Sequence, residues 1–383
     1  MKISNSEIVS FIRSVYRQEN EFIPLHSPVF VGNEKKYLED CIDSTYVSSV
    51  GKYVDQFENE IARYTGSVKA VACVNGTNAL FLALKLSGVN QGDEVITQPL
   101  TFIATANAIS YCGSEPVFLD VDADTLGLSP ERLAEWLKTN AIKDSKTAIN
   151  KKTGRRIAAC VPVHTFGHPA RIDQIVEVCT KYSIPVVEDA AESLGSLYLG
   201  KHTGTFGKIG VLSFNGNKVI TTGGGGMLLF SDSKTAEYAK HLTTQARIPH
   251  PWEFVHDAIG YNYRMPNINA ALGLAQLEKM DAYLSSKREI AGLYKDFFSK
   301  TDISFIQEPL KAASNYWLNS ILFKNQEDRD GFLKYSNDQK VMTRPCWQLM
   351  NKLSMFKHCQ TDDLIIAQGL SERLVNIPSS VRL

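Results

Sequence analysis

Lys218 has the widest choice of chemistry of any residue in this chain. It stands in a polar turn between two apolar stretches, residues 209–214 and 227–230, and glycines 223–226 follow it. A lysine in such a turn is ordinarily solvated. Here Val219 and Ile220 come directly after it, which predicts buried chain beside the amine. Desolvation lowers an amine's pKa and makes it a usable nucleophile. The glycine run is costly in chain entropy and lets backbone pack closely against something.

A nucleophilic amine needs partners, and three stretches offer them. Asn75-Gly-Thr77 lies between an apolar strand pattern and an apolar helix pattern. Free N–H groups and the positive helix end make Gly76 and Thr77 a ready anion site, although Thr77 taken alone reads first as a helix cap. Asp189 follows an apolar run at 184–187 and precedes Ala-Ala-Glu192. It reads as a capping box with Glu192, or as a carboxylate that meets a protonated ring nitrogen while the alanines leave room for a flat ring. Phe102 opens another helix pattern, as core or as a platform for a ring. His164 and His168 have the spacing of helical zinc ligands, but Gly167 and Pro169 oppose a helix there. No metal site is expected.

Alternating elements must position these groups. Strand patterns at 70–74, 94–97, 116–121, 157–163 and 184–188 alternate with helix patterns at 78–87, 101–111, 130 onward and 172–182. Continuous apolar strands between helices predict an α/β fold with a large, mostly parallel sheet covered on both faces. Ligands of such sheets gather outside the carboxyl ends of the strands. The pair around Lys218 lacks an intervening helix and predicts an antiparallel addition. An amphipathic helix with Ile8, Phe11, Ile12, Val15 and Tyr16 runs to about 21–22 and reads as an N-terminal arm over 1–25. A large domain spans 26–265. A long helix over about 269–300 then leads into a small C-terminal α/β domain, 266–383 in all.

Composition narrows the partners. Lys+Arg and Asp+Glu are each 41 in 383 residues, a zero net charge that argues against a general nucleic-acid or membrane-surface binder. The seven cysteines form no Cys-x-x-Cys pair and several sit in apolar runs, as buried free thiols do in a reducing compartment. No run reaches membrane-span length and Glu7 and Arg13 interrupt the first apolar segment, so a cytoplasmic protein is expected.

Together, the stretches 75–80 (Asn-Gly-Thr-Asn-Ala-Leu), 101–108, 187–192 (Val-Glu-Asp-Ala-Ala-Glu), 213–223 and 261–265 (Tyr-Asn-Tyr-Arg-Met) resemble the sugar-nucleotide aminotransferases of the DegT–DnrJ group. The resemblance covers nearly the whole chain. It implies pyridoxal 5′-phosphate on a fold-type-I, aspartate-aminotransferase-like scaffold with a seven-stranded sheet. Lys218 matches the lysine that forms the Schiff base, and Asp189 the aspartate facing the pyridinium nitrogen. Glu192 matches the polar residue near the ring hydroxyl and substrate. Gly76, Thr77 and Ser213 match the phosphate binders, and Phe102 the aromatic residue on the ring. Asn262 matches an asparagine that reaches the phosphate from the other subunit, which with Arg264 implies a homodimer with shared sites.

The 23–28 stretch, Thr343-Arg-Pro-Cys-Trp347 and residues 376–380 look similar to the branch that aminates a keto sugar in the legionaminic-acid pathway. The implied reaction moves an amine from L-glutamate to C4 of a nucleotide-linked 4-keto-6-deoxy sugar, a UDP-linked 2-acetamido sugar first. GDP- or dTDP-linked sugars, or a non-catalytic regulator of the same fold, are the alternatives. Arg264, Arg344 and Trp347 are candidate substrate contacts. Gly224 and Glu192 depart from commoner family patterns, which touches substrate identity more than chemistry.

Overall fold

A computed structural model describes residues 2–143 and 147–382. Seven strands build the main sheet, in the order Glu115–Phe118, Glu94–Thr97, Arg156–Val161, Val187–Asp189, Ile209–Ser213, Gly226–Phe230, Lys69–Cys73. The third and fourth join through parallel bridges at Cys160–Val186 and Val163–Asp189. Gly226–Phe230 runs antiparallel to both its neighbours, and the other neighbouring pairs are parallel. Every residue of Glu94–Thr97 and Gly226–Phe230 is buried, which is what a sheet covered on both faces requires.

This topology creates one functional edge. Cys73 and Ser213 both pair with Gly226, so two carboxyl ends and the start of the antiparallel strand meet there. Strand Val187–Asp189 brings Asp189 alongside Val211. Helix Gly76–Leu86 leaves that edge after Cys73, and helix Ile103–Tyr111 leaves it after Thr97.

The small sheet is antiparallel, in the order Ser304–Phe305, Asn319–Leu322, Leu374–Ile377, Arg344–Pro345. Buried Asp120 ties it to the large sheet. Its carboxylate accepts from the N–H groups of Ile366 and Ala367, both at 2.8 Å, at the start of helix Ile365–Arg373.

Several sequence expectations change. The first helix is Asn5–Tyr16 and stops at Arg17 in the left-handed region, short of the predicted end near 21–22. Its Ile8, Ile12 and Val15 are buried with Tyr294, Ile321, Phe332 and Val375 of the C-terminal part. The long helix predicted over 269–300 is two helices, Asn267–Leu277 and Met280–Phe298. At the break, Asn33 and Tyr37 bind the Glu278 carboxylate at 2.7 and 2.5 Å. No helix follows Asp189, where the chain makes turns instead.

Candidate active site

The site is assembled from the strand ends. Asn75, not Thr77, caps helix Gly76–Leu86: its side chain accepts from Asn78 N at 2.8 Å and its carbonyl from Ala79 N. The first N–H groups of the helix, those of Gly76 and Thr77, therefore point outward for an anion. Ser213 closes this cup. A Cβ on Gly76 would meet Ser213 Cβ at 3.0 Å and Oγ at 3.2 Å, so glycine lets the helix start against the serine.

Asp189 ends its strand buried, its Oδ2 accepting from Thr105 Oγ1 at 2.7 Å and its Oδ1 from Ala191 N at 3.2 Å. Burial pushes its carboxyl up, against the pull of Thr105, Ala191 and Lys218. The capping-box reading fails, since no helix begins there, and the carboxylate faces the cavity. Glu188, one residue earlier, serves the loop at 203–207 instead. It accepts from His164 Nε2 (3.0 Å) and from the N–H groups of Gly204, Phe206 and Gly207 (2.7, 2.6 and 2.6 Å). Burial would raise the Glu188 carboxyl, but these donors together hold it below its ordinary value. His164 Nδ1 accepts from Ala170 N, so Nε2 carries the hydrogen given to Glu188.

Lys218 reaches the same cavity from the turn after Ser213, its side chain 14% exposed. Its Nζ lies 3.8 Å from the Trp317 ring centroid and 3.4 Å from Glu192 Oε1. Glu192 is buried and also accepts from Phe166 N at 2.8 Å. Burial pushes its carboxyl up, against Lys218 and the Phe166 N–H. Phe102 is no core residue: 53% exposed, it stands at the cavity wall with its ring centroid 6.2 Å from that of Trp347. The four glycines divide their work. Gly224 lines the cavity with open space beside it, while a Cβ on Gly226 would come within 2.5 Å of the Asn75 carbonyl oxygen.

The cavity holds about 350 Å³. Its donors and shapes suit pyridoxal phosphate: an N-terminal helix cup for a phosphate, a buried carboxylate for a ring nitrogen, and an amine within the same walls. The buried Asp189 carboxylate, raised by desolvation, is a site where a cationic ring would offset the cost of burial. The structure thus brings Gly76, Thr77, Phe102, Asp189, Glu192, Ser213 and Lys218 together. Asn262 and Arg264 do not line this cavity: Arg264 donates to Asn262 Oδ1, and Asn262 is exposed. Arg344 is exposed too, its guanidinium bound to Asn337 Oδ1 and the Thr343 carbonyl. Trp347 does line the cavity.

Sequence reasoning missed Thr105 and Trp317. Thr105 lies one helical turn beyond Thr101, to which it is bonded, and only its fold position turns it toward Asp189. Trp317 arrives from the C-terminal part, its Nε1 donating to Asn217 O at 2.6 Å. No local signal marked either. Among the described residues no cluster of three or more His, Cys, Asp or Glu could hold a metal ion. None of their helices is long and apolar enough to cross a membrane. All seven cysteines are buried and free.

Comparison with known proteins supports the chemistry. The model of the DegT/DnrJ/EryC1/StrS aminotransferase family matches residues 30–383. GDP-perosamine synthase of Escherichia coli O157:H7 is 40% identical over 359 residues, covering 94% of this chain and 93% of that one. The putative pyridoxal phosphate-dependent aminotransferase EpsN of Bacillus subtilis (strain 168) is 36% identical, covering 93% and 90%. Among solved structures, the aminotransferase TlmJ of Streptoalloteichus hindustanus superposes with a TM-score of 0.84 at 29% identity, over 94% of each chain. The fold-type-I architecture is therefore that of a sugar aminotransferase, and the cofactor is pyridoxal phosphate. On these grounds the chain belongs to the DegT/DnrJ/EryC1/StrS aminotransferase family.

Proposed function

We propose that this enzyme transfers an amino group from L-glutamate to C4 of a nucleotide-linked 4-keto-6-deoxy sugar. A UDP-linked 2-acetamido-2,6-dideoxy-4-hexulose, as in the legionaminic-acid branch, is the first candidate. The observation that carries the reading is the meeting of Lys218, Asp189 and the cup of Gly76, Thr77 and Ser213 around one cavity. When bound there, pyridoxal phosphate supplies a sink for the electrons released as a C–H bond breaks.

The chain's own residues do the rest. The N–H groups of Gly76 and Thr77, with Ser213 Oγ, bind the phosphate. Asp189 holds the proton on the ring nitrogen by supplying its counter-charge. Phe102 would shield a bound ring from water, and Glu192 would serve the ring hydroxyl and the substrate, both from the cavity lining. Lys218 Nζ would hold the cofactor by its amine and, once free, would serve as the base that takes a proton from the substrate carbon. Residues 26–265 form the cofactor-binding domain in this reading, and 266–383 the linking helices and the small domain.

The same reading makes the enzyme a homodimer with shared sites. Asn262 and Arg264 lie off the cavity of their own chain. They follow a segment in which Trp252, Phe254 and Ile259 are 75%, 76% and 87% exposed, apolar surface of the kind that a second copy covers. Each subunit's Asn262 then serves the phosphate of the other subunit's site, and Arg264 its substrate. Arg344 is a substrate contact in this reading only if its bonds to Asn337 and Thr343 give way.

A GDP-linked substrate is the second reading. It is favoured by three relatives named GDP-perosamine synthase, at 40%, 36% and 35% identity. The deciding experiment is amination with glutamate against a panel of UDP-, GDP- and dTDP-linked 4-keto-6-deoxy sugars, with product configuration read by NMR. Conversion of the GDP-linked sugar alone would select the second reading. A cofactor spectrum that glutamate leaves unchanged would sink both and point to a regulator.

A further inference from the structure

We propose that the face of the Trp317 indole is the seat on which the Lys218 amine rests whenever it is not joined to the cofactor. This rests on the reading of Lys218 as the reactive amine. The seat makes Trp317 a positioning residue for it. Nζ lies 3.8 Å from the ring centroid, well inside the range of a cation–π contact, and the indole is only 4% exposed. The nearest carboxylate oxygen, Glu192 Oε1, is at 3.4 Å, longer than a strong charge-assisted bond. An indole face accepts the charge without claiming a particular N–H. Beyond its one long bond to Glu192 Oε1, the amine has hydrogens left for the cavity, and Asp189 stays open for the ring nitrogen.

Four fixings hold the indole in register with the lysine. Its Nε1 donates to the carbonyl of Asn217 at 2.6 Å, tying the ring to the peptide next to Lys218 itself. Giving up that hydrogen also enriches the ring in electron density. The Trp317 N–H donates to Asn315 Oδ1 at 2.8 Å, while Asn315 Nδ2 holds the carbonyls of Glu192 and Leu194. The Trp317 carbonyl accepts from the buried Lys287 at 3.2 Å. Phe166, whose N–H binds Glu192, stands 6.5 Å from the ring. Trp317 and Glu192 are thus braced by the same neighbours, so the two sides of the seat move together.

The titratable groups around the amine are Glu192 and Asp189 from the turn and strand end at 189–192, and, beyond the indole, Lys287 and His26, of which burial pulls Lys287 down to about 7 and holds His26 well below its ordinary value. Both His26 ring nitrogens are buried without a hydrogen-bond partner. The face of an indole attracts a cation and does not attract a neutral amine in the same way.

Apoenzyme is the form in which the seat is tested. Reductive methylation across pH 6 to 10, with the Lys218 peptide quantified by mass spectrometry, reads the titration of this one amine. In Trp317→Leu the half-labelling pH should fall by about one unit, a tenfold change in proton affinity. In Trp317→Phe, which keeps a weaker ring face, it should fall by less. A half-labelling pH unchanged in both variants overturns the seat. If Trp317→Leu does not fold, the Trp317→Phe curve decides. The underlying reading is checked separately. Lys218→Ala must lose steady-state transamination, and if it keeps turnover, the catalytic reading falls and the seat with it.

Discussion

Thr105 and Asp189 come from different parent elements, a helix and a strand end, yet the threonine hydroxyl donates to the aspartate Oδ2 across 2.7 Å in a buried setting. Burial raises the Asp189 carboxyl and this hydroxyl is the first of the groups that pull it back down. Removing the donor lets the carboxyl rise further, so the ionised form is lost at higher pH. A hydrogen bond to a charged group is worth about 1.5–3 kcal/mol. Thr105→Val should therefore weaken cofactor binding roughly tenfold, and more at pH 6 than at pH 8. Absorbance titration of the apoenzyme at the two pH values measures it; equal affinities for variant and parent would deny Thr105 this role.

The glycine run offers a paired test. Ala at 226 would force its Cβ to 2.5 Å from the Asn75 carbonyl oxygen and 2.7 Å from the Gly76 nitrogen, backbone atoms that no rotamer change relieves. Gly226→Ala should cost about 3 kcal/mol of stability. Ala at 224 meets nothing within 4 Å. Gly224→Ala should stay within about 0.5 kcal/mol of the parent by urea unfolding, while altering KM for the sugar because it lines the cavity. Equal stabilities for the two variants would refute the division.

Lys287 carries a pH signature. Its amine is buried, donates to the carbonyls of Trp317 and Ser379, and is pulled down by burial to about 7. An unfolded lysine titrates near 10.4. Below pH 7 both states hold the proton; between 7 and about 10 the unfolded state holds one that the folded state lacks. Stability therefore gains about 1.4 kcal/mol per pH unit from this residue as pH rises through that window. Lys287→Met should remove that slope. Urea unfolding of both proteins at pH 7, 8 and 9 compares them, and parallel pH dependence would show that Lys287 keeps its charge throughout.

Shared sites predict complementation. If Asn262→Ala alone is impaired, mixing it with Lys218→Ala chains should restore activity, because each heterodimer then contains one intact site. Activity in the refolded mixture, against either variant refolded alone, is the measurement. Heterodimers without recovery would place both residues in one chain's own site.

The parallel sheet was legible because buried strands are continuous apolar runs, as at 157–163 and 184–187, and because Gly88 and Gly113 end the helices between them. The site was legible where chemistry and local pattern coincide. Gly76 and Thr77 sit where a strand becomes a helix, and Asp189 where a buried strand ends. Local pattern left two readings open where two local roles compete for one residue. Asp189 and Glu192 have the spacing of a capping box, but the helix it would start does not form. Thr77 could cap, but Asn75 already does. Trp317 was out of reach because its bond to Asn217 spans 100 residues, and no periodicity encodes such a contact. The unbroken helix predicted at 269–300 failed for a similar reason, its break coinciding with contacts from Asn33 and Tyr37.

Glu188 and Asp189 are neighbours on one short strand, and the sheet sends them to opposite faces. One has four donors and belongs to the loop at 203–207; the other looks into the cavity. A slip of one residue would exchange them, since alternate side chains change faces. It would put a glutamate stripped of its donors beside the cofactor and hide the aspartate behind the sheet. The loop at 203–207 does not line the cavity, yet by gripping Glu188 it acts as a ratchet on the strand's position. Mutations there would reach the chemistry through register rather than contact.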